Sequence, residues 1–280
     1  MNKLLSAHFS RLKKNKCFWI CTLLMIFMAV FRNIDSYLMV KKYHATISLE
    51  DPFFTYVMLS AILLPVFCSL FLGTEFSDGT IRNKLIIGHS RSSIYLSNLV
   101  LCTAAGLLIA LAYMLFSLCT GVPLLGFFDP AIPQSVIFIS IGCSIVLTLA
   151  NAAIYTFVAM LNQNKAVTSV ICILSAFLLL MVGTYIHARL LEPEMWESYA
   201  YVSENGEVLI QEEASPNPYY VDGIKRDAYE FLNDFLPGGQ AYALTYLPAA
   251  HPGRMALYSG LITIVFTGFG IYYFQRKDIK

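Results

Sequence analysis

Six long apolar stretches, each nearly free of charge, dominate the pattern of hydrophobic and polar positions along the chain. They are residues 17–40, 53–73, 94–120, 135–161, 167–186 and 255–274. Because a helix needs about 20 mostly apolar residues to cross the hydrocarbon layer of a bilayer, each stretch is long enough to span it. The first is the weakest, since Arg32, Asn33 and Asp35 interrupt its second half, and the second contains Pro65, which is expected to kink the helix. The pattern predicts an all-α membrane protein with six transmembrane helices.

Residues 1–16, before the first span, form an amphipathic pattern. Leu4, Leu5, His8, Phe9 and Leu12 lie near one helical face, and the basic residues lie off that stripe. The pattern favours an interfacial helix in the membrane surface. The alternative is a short basic tail that only sets the topology. No small-residue cleavage pattern follows the first apolar stretch, so it is interpreted as an uncleaved span rather than a signal peptide.

The polar segment 188–254, between the fifth and sixth spans, is too long for a simple connection and is rich in acidic residues. Residues 201–202 and 208–210 are predicted to be the strands of a hairpin that turns at Asn205-Gly206. Residues 215–218, with two prolines, are predicted to be a linker. Apolar residues at helical spacing predict a helix over 224–236 that stops at Pro237. Residues 241–250 are apolar but too short to span, and are predicted to be a re-entrant helix.

Composition agrees with membrane insertion, since 57% of the residues are hydrophobic and only 13% are charged. Soluble proteins are usually about a quarter charged. The seven cysteines fall in or beside apolar stretches, which is typical of packing residues rather than of a disulfide framework. The lipid bilayer is therefore the first predicted partner.

The distribution of Lys and Arg predicts the orientation. With the N-terminus inside, most of the 19 basic residues lie on cytoplasmic segments, and only Glu75, Asp78 and Asp278 of the acidic residues do. We therefore expect a multi-pass protein of the plasma membrane with both termini cytoplasmic. Residues 74–92 then form a cytoplasmic loop, and residues 188–254 form a mixed extracellular loop.

Several function classes lack their sequence signals. The chain has no GxxxxGK[ST] phosphate loop, no GxSxG elbow and no HExxH pattern, so no catalytic residue and no bound cofactor are predicted. The interiors of spans two to six contain no ionisable residue, which argues against an intramembrane enzyme and a proton-coupled pump. The basic clusters are short and lie beside membrane spans, so no nucleic-acid partner is expected.

The loop 74–92 has the pattern of a short amphipathic helix between two spans. Ser77 is predicted to cap this helix, with Asp78 in its first turn, and Gly88 is predicted to end it. Ile81, Leu85 and Ile86, at i, i+4 and i+5, are predicted to share one helical face. A partner that pushed on such a helix would move both spans together, although a well-capped connector would show the same pattern.

Glu75-x-x-x-Gly79-Thr80, followed by Ser90-Arg91, resembles the first cytoplasmic loop of ATP-binding-cassette transporter permeases of the type-2 exporter class. The N-terminal interfacial helix, the six spans, the run Phe235-Leu-Pro-Gly-Gly-Gln240 and the basic C-terminal tail agree with this resemblance. The whole chain, residues 1–280, would then be a single transmembrane permease domain.

The resemblance implies a permease subunit of an ATP-driven exporter, in which loop 74–92 couples to a separate nucleotide-binding ATPase that carries the ATP and Mg²⁺. It also implies a second permease, identical or different, with the transport pathway along spans one, two and five. The implied coupling residues are Glu75, Asp78, Gly79, Thr80, Arg82, Lys84, Ser90 and Arg91. Of these, Ser90 and Arg91 are expected to anchor span three, with Arg91 at the head-group level.

The substrate is left open, and an apolar or amphipathic cargo suits a pathway without buried charge. Asn98 and Asn151, the most polar side chains of the later spans, are predicted to form interhelical hydrogen bonds rather than substrate contacts. A second hypothesis, from another class, is a membrane scaffold or sensor whose acidic extracellular loop binds a peptide or cation.

Overall fold

A computed structural model describes residues 2–44, 46–202 and 208–278 of the chain. Its helices, in chain order, are α1 Asn2–Lys14, α2 Lys16–Tyr43, α3 Glu50–Ser77, α4 Thr80–Ile86, α5 Arg91–Leu125, α6 Gln134–Leu161, α7 Lys165–Leu191, α8 Gly223–Phe235, α9 Pro237–Thr245 and α10 Pro252–Arg276. Six of them, α2, α3, α5, α6, α7 and α10, are long and apolar enough to cross a membrane. They coincide with the six predicted spans and extend each by a few residues, so the all-α membrane fold is confirmed.

Helix α3 lies at the centre and packs against α2, α5, α6, α7 and α9. Its buried aromatic side chains stack or meet edge to face, as in the pairs Phe53–Phe54 and Phe67–Phe71. Pro65 lies inside this helix. Around α3, helix α2 packs on α5. Helix α10 packs on α6 and α5 instead of on α3, so four of the other five spans contact the central helix.

The polar interruption in the first span is accommodated by α5. The side-chain amide of Asn33 is buried and donates to the Ser117 carbonyl at 2.9 Å and to Thr120 Oγ1 at 2.7 Å. Arg32 and Asp35 pair one helical turn apart, with 3.1 Å between Nη1 and Oδ2. With these partners available, α2 continues without a break to Tyr43.

The two asparagines of the later spans are both buried. Asn98 Nδ2 lies 3.5 Å from Met160 Sδ, which is a weak contact between α5 and α6. Asn151 lines a cavity of about 10 Å³ between α3 and α6, together with Tyr56 and Ser144. Both side chains therefore lie between helices.

The segment between α7 and α10 begins with short antiparallel strands. Strand β2, Tyr199–Val202, pairs with β3, Val208–Glu212, so the strands of the predicted hairpin are confirmed. Its Asn205-Gly206 turn lies outside the described residues. Strand β1, Met195–Trp196, pairs with β4, Ser215–Pro216, in a second two-stranded sheet. The prediction of a linker was wrong at Ser215–Pro216, because pairing with β1 keeps this segment extended.

Helix α8 confirms the predicted helix, and α9 begins at Pro237, four residues before the predicted re-entrant segment. Proline at the first position of a helix loses no hydrogen bond, so the Pro-Gly-Gly run starts α9 rather than forming a loop. Helix α9 is almost wholly buried and packs against α3, α6, α7 and α8. Gly238 meets α7 so closely that an added Cβ would lie 1.9 Å from the Leu179 carbonyl oxygen.

Candidate coupling site

The loop between α3 and α5 is a tight turn followed by one short helix. Helix α3 ends at Ser77, and Gly79 reverses the chain in the left-handed region, with a φ of 66°. Thr80 then begins α4, and its hydroxyl donates to the Glu75 carbonyl at 2.9 Å, which ties the helix back to α3. The prediction that Ser77 caps this helix was wrong: its hydroxyl bonds the Thr74 carbonyl at 3.1 Å, inside the last turn of α3.

The far end of the loop follows the sequence prediction. Gly88 has a φ of 92°, a conformation that glycine adopts without strain, and it follows the end of α4 directly after Ile87. Ser90 is the N-cap of α5, and its Oγ accepts from the Ser93 backbone N–H at 3.3 Å. Both loop ends are thus fixed by local backbone geometry.

A buried carboxylate connects three helices beneath this loop. The Glu75 side chain is 0% exposed, and Lys84 of α4 donates to its two oxygens at 2.9 and 2.8 Å. Arg11 of α1 also pairs with Oε1, and His8 Nδ1 lies 3.5 Å from the same oxygen. We call His8, Arg11, Glu75 and Lys84 the Glu75 cluster. It holds α1 and α4 against the end of α3.

The contacts of His8 define its protonation state. Its Nε2 lies 3.2 Å from Lys84 Nζ, which can only donate, so Nε2 accepts and the ring proton lies on Nδ1, facing Glu75. Ring Nε2 also lies 3.3 Å from Ser97 Oγ on α5. Burial lowers the pKa of His8 to about 4. Glu75 raises this pKa, but the loss of solvation and the positive charges of Lys84 and Arg11 lower it by more. Burial also lowers the pKa of Lys84, and Glu75 opposes that shift.

The outward face of α4 carries different residues. Ile86 and Ile87, at the tip of the helix, are 75% and 76% exposed. Asp78, Arg82 and Asn83 are also exposed. Ile81, by contrast, is buried. The tip is therefore an apolar pair beside charged and polar side chains.

The predicted coupling residues thus divide into two groups. Glu75 is fully buried and Lys84 points inward to it, so neither side chain is placed for a direct contact with a partner. Asp78 and Arg82 face outward. The sequence pattern put Ile86 on the same helical face as Ile81 and Leu85, and this placement was wrong, because Ile86 is exposed whereas Ile81 is buried. The exposure of Ile87 was not predicted.

Arg91, at the start of α5, binds backbone carbonyls at the end of α10. Its guanidinium donates to the Phe274 carbonyl at 3.2 Å and also to the Lys277 carbonyl. Lys277 Nζ in turn donates to the Met160 and Leu161 carbonyls at 3.1 and 2.6 Å. Cations suit the negative ends of helices, so these contacts fasten the start of α5 to the ends of α6 and α10.

The family model described as "ABC-2 family transporter protein" matches residues 4–187, from α1 to the last turn of α7. The chain belongs to this ABC-2 transporter family. The match includes the Glu75 cluster, α4 and Arg91. No curated protein matches the chain at a significant level. As an ABC-2 permease with six candidate spans, the chain is a multi-pass membrane protein with a transport role, and its family works with an ATPase subunit.

Proposed function

We propose that this ABC-2 permease is the transmembrane subunit of an ATP-driven exporter and that α4 is its coupling helix. The observation that carries the proposal is the form of α4: a short helix, fixed from behind by the Glu75 cluster, that exposes Ile86 and Ile87 at its tip. A separate ATPase subunit, which carries the ATP and Mg²⁺, would receive this tip in a groove.

The arrangement suits the transmission of force. Because Lys84 and Thr80 bind the last turns of α3, and only Ile87 to Ser90 separate α4 from α5, a push on the tip would reach both spans. Helix α1 would move with them, since Arg11 shares the same carboxylate. Asp78 and Arg82, beside the tip, would guide the approach of a partner with complementary charge.

The proposal includes the orientation predicted from the basic residues. The N-terminal helix, the α4 loop and the C-terminal tail would lie on the cytoplasmic side of the plasma membrane, where an ATPase finds its nucleotide. In support, these three segments meet in the structure: His8 contacts Lys84, and Arg91 binds the Lys277 carbonyl. The strands and α8 would then face the outside.

We also propose a second permease, identical or different, so that the pathway lies between the two subunits along α2 and α7. Helix α3, which the resemblance also assigns to the pathway, lies behind them at the centre of the bundle and, over its fully described length, exposes no large apolar side chain. Helices α2 and α7 expose large apolar side chains that lipid or this second permease would cover, among them Leu23, Phe27, Leu174 and Met181. An apolar or amphipathic substrate fits such a pathway.

The role of the charged residues can be tested in the complex of the permease with its ATPase subunit. Arg82→Ala should weaken assembly several-fold, and the loss should grow smaller at high salt, since exposed charges are screened. The measurement is the ATPase affinity of the permease in detergent at two salt concentrations. Lys225→Ala, which removes an exposed cation from α8, is the matched control. If the wild type, Arg82→Ala and Lys225→Ala bind the ATPase with equal affinity, Arg82 does not have the assigned role.

A further inference from the structure

A second feature of the chain, at the end of α7 opposite the α4 loop, is a cavity of about 230 Å³. It is partly open and is lined by the end of α7, one side of α8 and the connection between α9 and α10. Leu190, Pro248 and Ala249 give it apolar walls. Nothing in the coupling proposal uses this cavity, and the following inference does not depend on that proposal.

Three polar side chains with incomplete hydrogen bonding line the cavity. Asn233 and Asp234, in the last turn of α8, are only 6% and 2% exposed. Asn233 Oδ1 and His187 Nδ1 are buried and make no hydrogen bond within 3.5 Å in the described part of the chain, although the two side chains interact with each other at longer range. The partner found for Asp234 Oδ2 is His251 Nδ1, at 3.2 Å. Buried polar atoms left unpaired are costly, so their persistence at one cavity points to a ligand.

The positions of these acceptors are fixed by the packing around them. Gln240 of α9 donates to the Asp234 carbonyl at 2.7 Å and accepts from Ser259 of α10 at 2.7 Å. Gly239 lies so close to α8 that an added Cβ would be 2.4 Å from the Asn233 carbonyl oxygen. The last turn of α8 is therefore held from two sides, and its acceptors are preorganised for binding.

The charges around the cavity indicate the class of ligand. Arg226 and Glu230 pair with each other at 3.1 Å, and the Asp234 carboxylate pairs with His251 at 3.2 Å, so a cationic ligand would reach Asp234 by displacing His251. Burial raises the pKa of Asp234, and the nearby charge of Glu230 raises it further. The positive charges of His251 and Arg254 act in the opposite direction and lower it. A ligand ammonium could take the place of His251 as the partner of this carboxylate.

We propose that the cavity binds a small organic amine. Its ammonium group would donate to Asp234 and Asn233, and its apolar part would lie against Leu190 and Pro248. A hydrogen bond from a charged donor to a carboxylate is about twice as strong as one between neutral groups. The site therefore distinguishes an amine from a neutral molecule of the same shape.

The test uses the purified full-length chain in detergent, with benzylamine as the probe and benzyl alcohol as its neutral counterpart. Titration followed by ligand-observed NMR should show saturable benzylamine binding and at least tenfold weaker binding of benzyl alcohol. Asp234→Asn should weaken benzylamine binding at least tenfold. Asp227→Asn, which neutralises an exposed carboxylate on the same helix, should leave it unchanged.

Ala249→Leu, which fills the cavity and keeps Asp234, provides an independent check should Asp234→Asn fail to fold. It should also abolish benzylamine binding, while its thermal unfolding midpoint stays near that of the wild type. The proposal is overturned if benzylamine does not bind saturably or binds no better than benzyl alcohol. It is equally overturned if benzylamine binds to a folded Asp234→Asn or Ala249→Leu variant as it does to the wild type.

Discussion

At the scale of single residues, His8 shows how a buried cluster imposes a charge state. Its ring accepts from the Lys84 ammonium, which requires an unprotonated Nε2. A second proton would place another cation beside Arg11 and Lys84, with Glu75 as the single anion of the cluster. The folded protein therefore keeps His8 neutral at pH values where the unfolded chain protonates it.

This difference predicts a loss of stability in acid. The pKa of His8 is about 4 in the folded protein, whereas its ordinary value, which applies to the unfolded chain, is 6.5. Between pH 4 and pH 6.5 the folded chain therefore binds fewer protons than the unfolded chain. Stability should fall as the pH drops from 6.5 to about 4, by about 3 kcal/mol for this group near pH 4.5. The thermal unfolding midpoint at pH 7 and pH 4.5 measures the effect.

The matched variants are His8→Asn, which cannot titrate, and His89→Asn, which changes a partly exposed histidine of the neighbouring loop. The decrease between pH 7 and pH 4.5 should be smaller in His8→Asn than in the wild type and unchanged in His89→Asn. If His8→Asn and the wild type lose the same stability, the neutral state of His8 is not what acid disrupts.

Glu75 marks the limit of local sequence reasoning at this scale. The family resemblance made it a candidate for direct contact with an ATPase, but Arg11 and Lys84 enclose it. Arg11 lies 64 positions earlier in the chain, so no local spacing could reveal the pair. Gly79, Gly88 and Ser90 were predictable because their roles depend only on nearby backbone.

At the scale of elements, the contact of α9 with α7 depends on the absence of side chains. An added Cβ on Gly238 would lie 1.9 Å from the Leu179 carbonyl oxygen, and one on Gly183 would lie 2.3 Å from the Gly238 backbone. Such close approach by small residues is a common basis of helix packing in membranes. Apolar content predicted a short helix over 241–250, but α9 begins earlier, at Pro237, and its packing against α3, α6 and α7 could not be read from local sequence.

Gly238→Ala should therefore destabilise the protein by about 3 kcal/mol or more, since the new methyl group meets backbone that cannot turn aside. Gly142→Ala is the control: Gly142 lies in α6 with open space around the added Cβ. That variant should keep or slightly raise the thermal unfolding midpoint, because alanine favours helix over glycine. Equal midpoints for the two variants would contradict the close packing of α9 on α7.

At the scale of the whole molecule, hydrophobicity alone was sufficient to predict the six spans. A bilayer offers no hydrogen bonds to the backbone, so long apolar stretches must be helical whatever their neighbours. The interior of the 188–254 segment was less predictable, because Ser215–Pro216 is extended only through its pairing with Met195–Trp196. Which face of α4 points outward was likewise fixed by long-range contacts.

The proposed orientation predicts a labelling pattern in intact cells. In a Cys119→Ser background, which removes the exposed cysteine, Asp227→Cys should react with a membrane-impermeant maleimide added outside. Asn83→Cys should react only after the cells are permeabilised. The reverse pattern would place α4 on the outer surface, where no cytoplasmic ATPase could bind it.

The central claim, that the tip of α4 carries the contact with the ATPase, is tested most directly by co-purification of the two subunits. Ile86→Asp and Ile87→Asp each place a charge in the proposed apolar contact, whereas Ile224→Asp does the same at an equally exposed isoleucine on α8. Each of the two α4 variants should lower the affinity for the ATPase at least tenfold, since a buried unpaired charge is costly. Ile224→Asp should bind like the wild type. Retention of wild-type affinity by folded Ile86→Asp and Ile87→Asp variants would contradict the account.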